Sequence, residues 1–60
     1  MFIGLTYNNK PVAFNVNNIG LILDVGNGCH IYIAGNQNPF NVDQSLLEIQ
    51  NLINRGMQYE

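Results

Sequence analysis

The chain has 60 residues, two basic and four acidic side chains, a net charge of −2 and 47% hydrophobic residues. One domain is all that length allows, and so short a chain buries only roughly 60% of its unfolded surface, so its own core is marginal. Lys10 and Arg55 stand too far apart to form the basic footprint of a nucleic-acid binder, and one Cys with one His excludes an intrachain disulfide and a structural zinc site.

Oligomerisation is the support that remains for a domain of this size. Solubility rests on amides: eleven Asn and four Gln are spread through the chain between apolar strands. The opening Met1-Phe2-Ile3-Gly4 lacks the basic leader and apolar run of a signal peptide. No segment approaches the roughly 20 apolar residues of a membrane span. These features lead us to expect a cytoplasmic protein, in a bacterium or an infected host cell, with no membrane partner and with its thiol reduced.

Along the chain, Met1, Ile3, Leu5 and Tyr7 alternate with Phe2, Gly4 and Thr6, which predicts a strand over 1–7. Asn8-Asn9 tolerates positive φ and suits a two-residue hairpin turn into a second strand over 11–16. The implied register sets Leu5 opposite Val12, Ile3 opposite Phe14 and Met1 opposite Val16, so six apolar side chains share one face. Pro11 places the start of that second strand near a sheet edge. Strands over 19–25 and 29–34 then flank Asn27-Gly28, a strong turn dipeptide. That turn puts Leu21, Leu23, Val25, His30, Tyr32 and Ala34 on one face, and Ile22, Asp24, Cys29, Ile31 and Ile33 on the other.

Both faces of that hairpin are substantially apolar, and one helix can cover only one of them. A subunit interface over Leu21, Leu23, His30 and Tyr32 would cover the other; a strongly twisted sheet that curls over itself is the alternative. Gly35 to Pro39 reads as a turn, and Phe40 with Val42 as a short last strand over 40–42. A helix over 44–55 follows. Asp43 or Ser45 can cap it, Ser45 and Glu48 have capping-box spacing, and Gly56 suits the position just past the end. Leu46, Ile49, Leu52, Ile53 and Met57 form its apolar stripe. Met57 to Glu60 reads as a frayed or interface-bound tail.

The sequence thus predicts one α+β domain over 1–60, a four- to five-stranded antiparallel β-meander with the helix packed on it. Its expected core is Ile3, Leu5, Phe14, Ile22, Ile31, Ile33, Phe40, Leu46, Ile49 and Ile53.

Catalytic chemistry finds little footing. Cys29 and His30 are adjacent on a strand, so they point to opposite faces and cannot form a nucleophile–base dyad within one chain. A buried, structural Cys29 and a surface or interface His30 are favoured. Gly26-Asn27-Gly28 is followed by a strand where a dinucleotide fingerprint needs a helix N-terminus. Asp24 and Asp43 sit on different elements, and Glu48 caps a helix, so no carboxylate pair is set up for acid–base work. No enzyme activity, cofactor or metal is expected. Tyr32 is the tyrosine best placed for a binding surface, with a partly buried core residue as the equal alternative.

The run Ile3-x-Leu5-Thr6, Asn8-Asn9-Lys10, Phe14-Asn15, Ile19, Ile31-x-Ile33, Phe40-x-Val42 and Ser45-x-x-Glu48-Ile49 resembles the FlbD-like flagellar proteins in layout. That resemblance implies a bacterial flagellar regulatory or assembly factor. In size, sparse charge and lack of an active site the chain also resembles the small inhibitors that phages encode against bacterial defences, such as anti-CRISPR and anti-Hachiman proteins. The reading that follows is a homodimeric protein-interaction module of phage or mobile-element origin that inhibits a bacterial target. A dimer interface that sequesters a small ligand is a further alternative.

Overall fold

In the computed structural model the described residues, 1–58, form a five-stranded antiparallel sheet with one C-terminal α-helix, an α+β fold. The strands are β1 (Phe2–Tyr7), β2 (Lys10–Asn15), β3 (Ile19–Asp24), β4 (Cys29–Ile33) and β5 (Phe40–Val42). A 3₁₀ turn, Val16–Asn18, joins β2 to β3, and α1 spans Leu46–Gln58.

The first hairpin has the expected register. Ile3 lies opposite Phe14, Leu5 opposite Val12, and Val16 N–H donates to the Met1 carbonyl at 2.9 Å. Asn8 and Asn9 take φ of 52° and 62°, the left-handed pair that a type I′ turn requires and that asparagine accepts at low cost.

The second hairpin turns one residue earlier than the Asn27-Gly28 dipeptide predicts. Gly26 and Asn27 make the turn, and Val25 N–H donates to the Gly28 carbonyl at 3.1 Å. Asp24 therefore pairs with Cys29 and Leu23 with His30. Two local features select this turn. The Asp24 carboxylate accepts Gly26 N–H at 2.9 Å, and Gly26 takes a φ of 92°. Gly28 also holds a positive φ, 125°, and is required for a second reason. It lies against the end of β5, where a Cβ would collide with the Val42 carbonyl oxygen. The pairing is offset by two residues from the predicted one, so every side chain keeps its predicted face.

Strand order departs from a simple meander. It runs β2-β1-β5-β4-β3, with the short β5 inserted between β1 and β4. Tyr7 pairs with Val42, and Asp43 N–H donates to the Thr6 carbonyl at 3.1 Å. The two edges, β2 and β3, are nevertheless joined by Val16–Asn18 alone. Four strand spacings in a flat sheet would separate them by about 19 Å. Asn15 to Ile19 can reach roughly 14 Å at most. The sheet must therefore twist and curl, and its concave side becomes the inside of the molecule, while the outer face keeps Leu21, Leu23 and Val25 exposed and is not shielded by the curl.

That concave side holds the core: Ile3, Leu5, Phe14, Cys29, Ile31, Val42 and Ile49 are buried. Of the ten residues expected there, Ile22, Ile33, Phe40, Leu46 and Ile53 are only partly buried and pack around it. Cys29 and Val42, opposite one another on β4 and β5, take central positions instead. Phe40 stands edge-on to both Tyr7 and Phe14, with ring centroids 5.3 and 5.6 Å away.

Ser45 starts α1 with a complete capping box: Glu48 N–H donates to Ser45 Oγ, and Ser45 N–H donates to Glu48 Oε1. Gln44 fixes the helix start to the sheet, since its side chain accepts from Thr6 N–H at 2.9 Å and donates to Thr6 Oγ1 at 3.0 Å. The helix does not stop at Gly56 as the sequence predicts. Gly56 lies within it, and the Met1 side chain fills the space a Cβ would need. Glycine inside the helix costs it about 1 kcal/mol relative to alanine, and its missing Cβ lets the Met1 side chain pack close. The predicted tail is helical through Gln58, and residues 59 and 60 lie outside the described residues.

Candidate functional site: the outer face and free edge of β3

The convex side of β3 and β4 gathers the four predicted interface residues. Leu21 lies opposite Tyr32 and Leu23 opposite His30, so the four form two adjacent cross-strand pairs. Leu21 is 54% exposed, Leu23 45% and Val25 45%, while His30 and Tyr32 are half-buried. Alternation along the hairpin explains the arrangement: their neighbours Ile22, Cys29 and Ile31 point inward and are taken up by the core. Val25 extends the apolar strip to the turn.

β3 is also an edge strand, a property that its own residues do not announce. The Val25–Gly28 hydrogen bond fixes which backbone groups are free. By antiparallel alternation, Leu21, Leu23 and Val25 direct their N–H and C=O toward β4, while Ile22 and Asp24 direct theirs away from the sheet. A groove runs beside this edge, between β3 and α1, with Ile19, Leu21, Ile22, Leu46, Gln50 and Ile53 among its lining residues.

The two edges are unequally protected. β2 carries Lys10 and Pro11 at its start, whereas β3 carries no proline and no charge before Asp24. This contrast is present in the sequence, but it acquires meaning only once β3 is known to be an edge.

The Cys29–His30 pair divides between the two faces, as alternation requires. Cys29 is fully buried, and burial pushes its thiol above the ordinary value of 9.0, with the Asp24 carboxylate adding to the effect. A thiol held protonated at neutral pH is a poor nucleophile. The Asp24 carboxylate is engaged in the β3–β4 turn, where it organises the chain. Among the described residues no group of three or more His, Cys, Asp or Glu could hold a metal ion, and no buried side-chain polar atom lacks a hydrogen-bond partner. No described helix is long and apolar enough to cross a membrane. Comparison of the chain with protein-family models, with curated proteins and with solved structures finds no match in any of the three.

Proposed function

We propose that the chain is a small, non-enzymatic, homodimeric protein-interaction module, of the kind phages and mobile elements use to inhibit a bacterial defence or host protein by occlusion. The apolar strip of Leu21, Leu23 and Val25, flanked by His30 and Tyr32, carries this reading. Exposed apolar residues scattered singly are ordinary, but a contiguous row along one strand is the form taken by an interaction surface. Tyr32 and His30 add amphipathic contact area to that row at small entropic cost.

Affinity capture from a panel of bacterial lysates tests the proposal, with Leu23→Lys as the control. A stoichiometric partner is expected, lost with Leu23→Lys and reconstituted from purified components with inhibition of that partner's activity. Recovery of no stoichiometric partner across the panel would overturn it. A FlbD-like flagellar factor is the second reading, favoured by the Ile3-x-Leu5-Thr6 and Ser45-x-x-Glu48-Ile49 runs. Flagellar genes beside the coding sequence would support that reading, and phage genes there would sink it.

A further inference from the structure

We infer that β3 pairs antiparallel with β3 of a second copy, about a two-fold axis at Ile22, so that two five-stranded sheets join into one of ten strands. The inference rests on the interaction-module reading and names the contact that makes the homodimer. An open strand edge presents a row of unpaired donors and acceptors, and proteins usually blunt it with charge or proline. β2 is blunted in this way at its start, whereas β3 has its charge at one end, Asp24, and its irregularity at the other, between Ile19 and Leu21, so the stretch Leu21 to Leu23 is left open. A second copy is the occupant that the strand itself specifies, because its sequence matches its own reverse in one register.

Only residues with outward backbone groups can form the hydrogen-bonded pairs of a new ladder, so the axis is chosen by Ile22 and Asp24. With Ile22 opposite Ile22 of the second copy, each Leu21 lies opposite a Leu23. The four leucines then pack side by side on the convex side, continuous with Tyr32 and His30. On the concave side the two Ile22 side chains meet beside the groove floored by Leu46 and Ile53. The Asp24 carboxylates fall at opposite ends of the strand pair, about 14 Å apart along the strand direction. That separation exceeds the Debye length of about 10 Å at 0.1 M salt.

Neighbouring registers are worse. An axis at Leu23 brings the two Asp24 within about 7 Å along the strand. An axis at Leu21 centres the ladder on the irregularity between Ile19 and Leu21, where the regular β3 backbone is interrupted. Area sets a further condition. A standard interface takes about 800 Å² from each partner, roughly a fifth of this chain's 4339 Å². A strand edge alone does not supply that, so the lateral Leu21–Leu23 contacts and the Ile22 contacts beside the groove must add to it.

Light scattering on the full chain at micromolar concentration should give a dimer mass. Leu21→Lys, at an exposed side chain, should keep the circular dichroism spectrum and give a monomer. Cysteine scanning then reads the register. Mixed Leu21→Cys and Leu23→Cys chains should form a disulfide-linked heterodimer under mild oxidation, while neither variant alone should cross-link. The native Cys29 is buried and contributes no background. A dimer without the mixed cross-link would overturn this strand pairing and leave the interaction-module reading standing. A monomer mass for the unmodified chain would overturn both the pairing and the homodimer, and capture of a bacterial partner would then decide the target-binding part separately.

Discussion

Replacing Gly28 with alanine separates backbone conformation from close packing, because Gly26 supplies an internal reference. Both glycines hold positive φ, 125° at Gly28 and 92° at Gly26. A side chain at such a φ costs about 1–2 kcal/mol at Gly26 and no less at Gly28, which lies further from the left-handed helical region. At Gly26 the added methyl meets open space, and that cost is the whole effect. At Gly28 it also collides with the Val42 carbonyl oxygen. Backbone cannot swing aside as a flexible side chain can, and forced overpacking of this kind adds about 1–3 kcal/mol. Gly28→Ala should therefore lose about 2–5 kcal/mol, out of the roughly 3–9 kcal/mol expected for a domain of this length. The assay is urea unfolding followed by circular dichroism, with a slope near 1 kcal/mol per molar for so small a protein. Gly28→Ala should unfold at least about 1 M earlier than Gly26→Ala. Protein concentration must be equal in all samples, since coupling to a dimer makes the midpoint concentration-dependent. Equal midpoints for the two variants would refute the claim that the turn is seated against β5.

Three further outcomes are expected. Folding raises the Cys29 thiol, so above the ordinary value of 9.0 the folded chain keeps a proton that the unfolded chain has released. Stability is then fully present below that pH and falls above it, by up to about 1.4 kcal/mol per pH unit. Cys29→Ala should remove this alkaline slope, and parallel pH profiles for the two proteins would rule out the thiol as its source. Thr6→Val and Gln44→Ala should each destabilise by about 1 kcal/mol, with a coupling of at least roughly 0.5 kcal/mol in a double-mutant cycle read by urea unfolding. Strict additivity would show that the Gln44 Nε2 to Thr6 Oγ1 bond does not help hold the helix start to β1, since the bond from Thr6 N–H to Gln44 Oε1 survives Thr6→Val. Ser45→Ala should cost about 1 kcal/mol in the same assay, while Ser45→Asp should cost little. Equal losses would exclude the capping box as the reason.

The local part of the fold was legible because its signals are short-range. The Asn8-Asn9 turn and the alternation of Ile3 and Leu5 against Val12 and Phe14 determine the first hairpin without reference to any other element. The Ser45–Glu48 spacing identifies the helix start in the same way. Two local signals misled for physical reasons that lie elsewhere in the molecule. Gly28 resembled the second residue of a primed turn, but it is glycine because β5 approaches it and because its own φ is 125°, while Asp24 sets the turn one residue earlier. Gly56 resembled a helix terminator, but it lies inside the helix, with the Met1 side chain packed against it. A glycine in sequence reports that a Cβ is unwelcome and does not report whether conformation or a neighbour excludes it.

Strand order lies further out of reach, and the character of the candidate site depends on it. The hydrophobic pattern identified Leu21, Leu23, His30 and Tyr32 as one face of a hairpin that a single helix would leave uncovered. It could not show which strand of that hairpin has a further neighbour. That is decided by the three-residue strand Phe40–Val42, which pairs with β4 on one side and β1 on the other. Its insertion moves β3 to the boundary of the sheet, and the surplus apolar face becomes an apolar edge with free hydrogen-bonding groups. A face alone attracts any apolar partner, whereas an edge also dictates direction and register. The same short strand that completes the core, through Val42 against Cys29, thus gives the proposed interface its geometry.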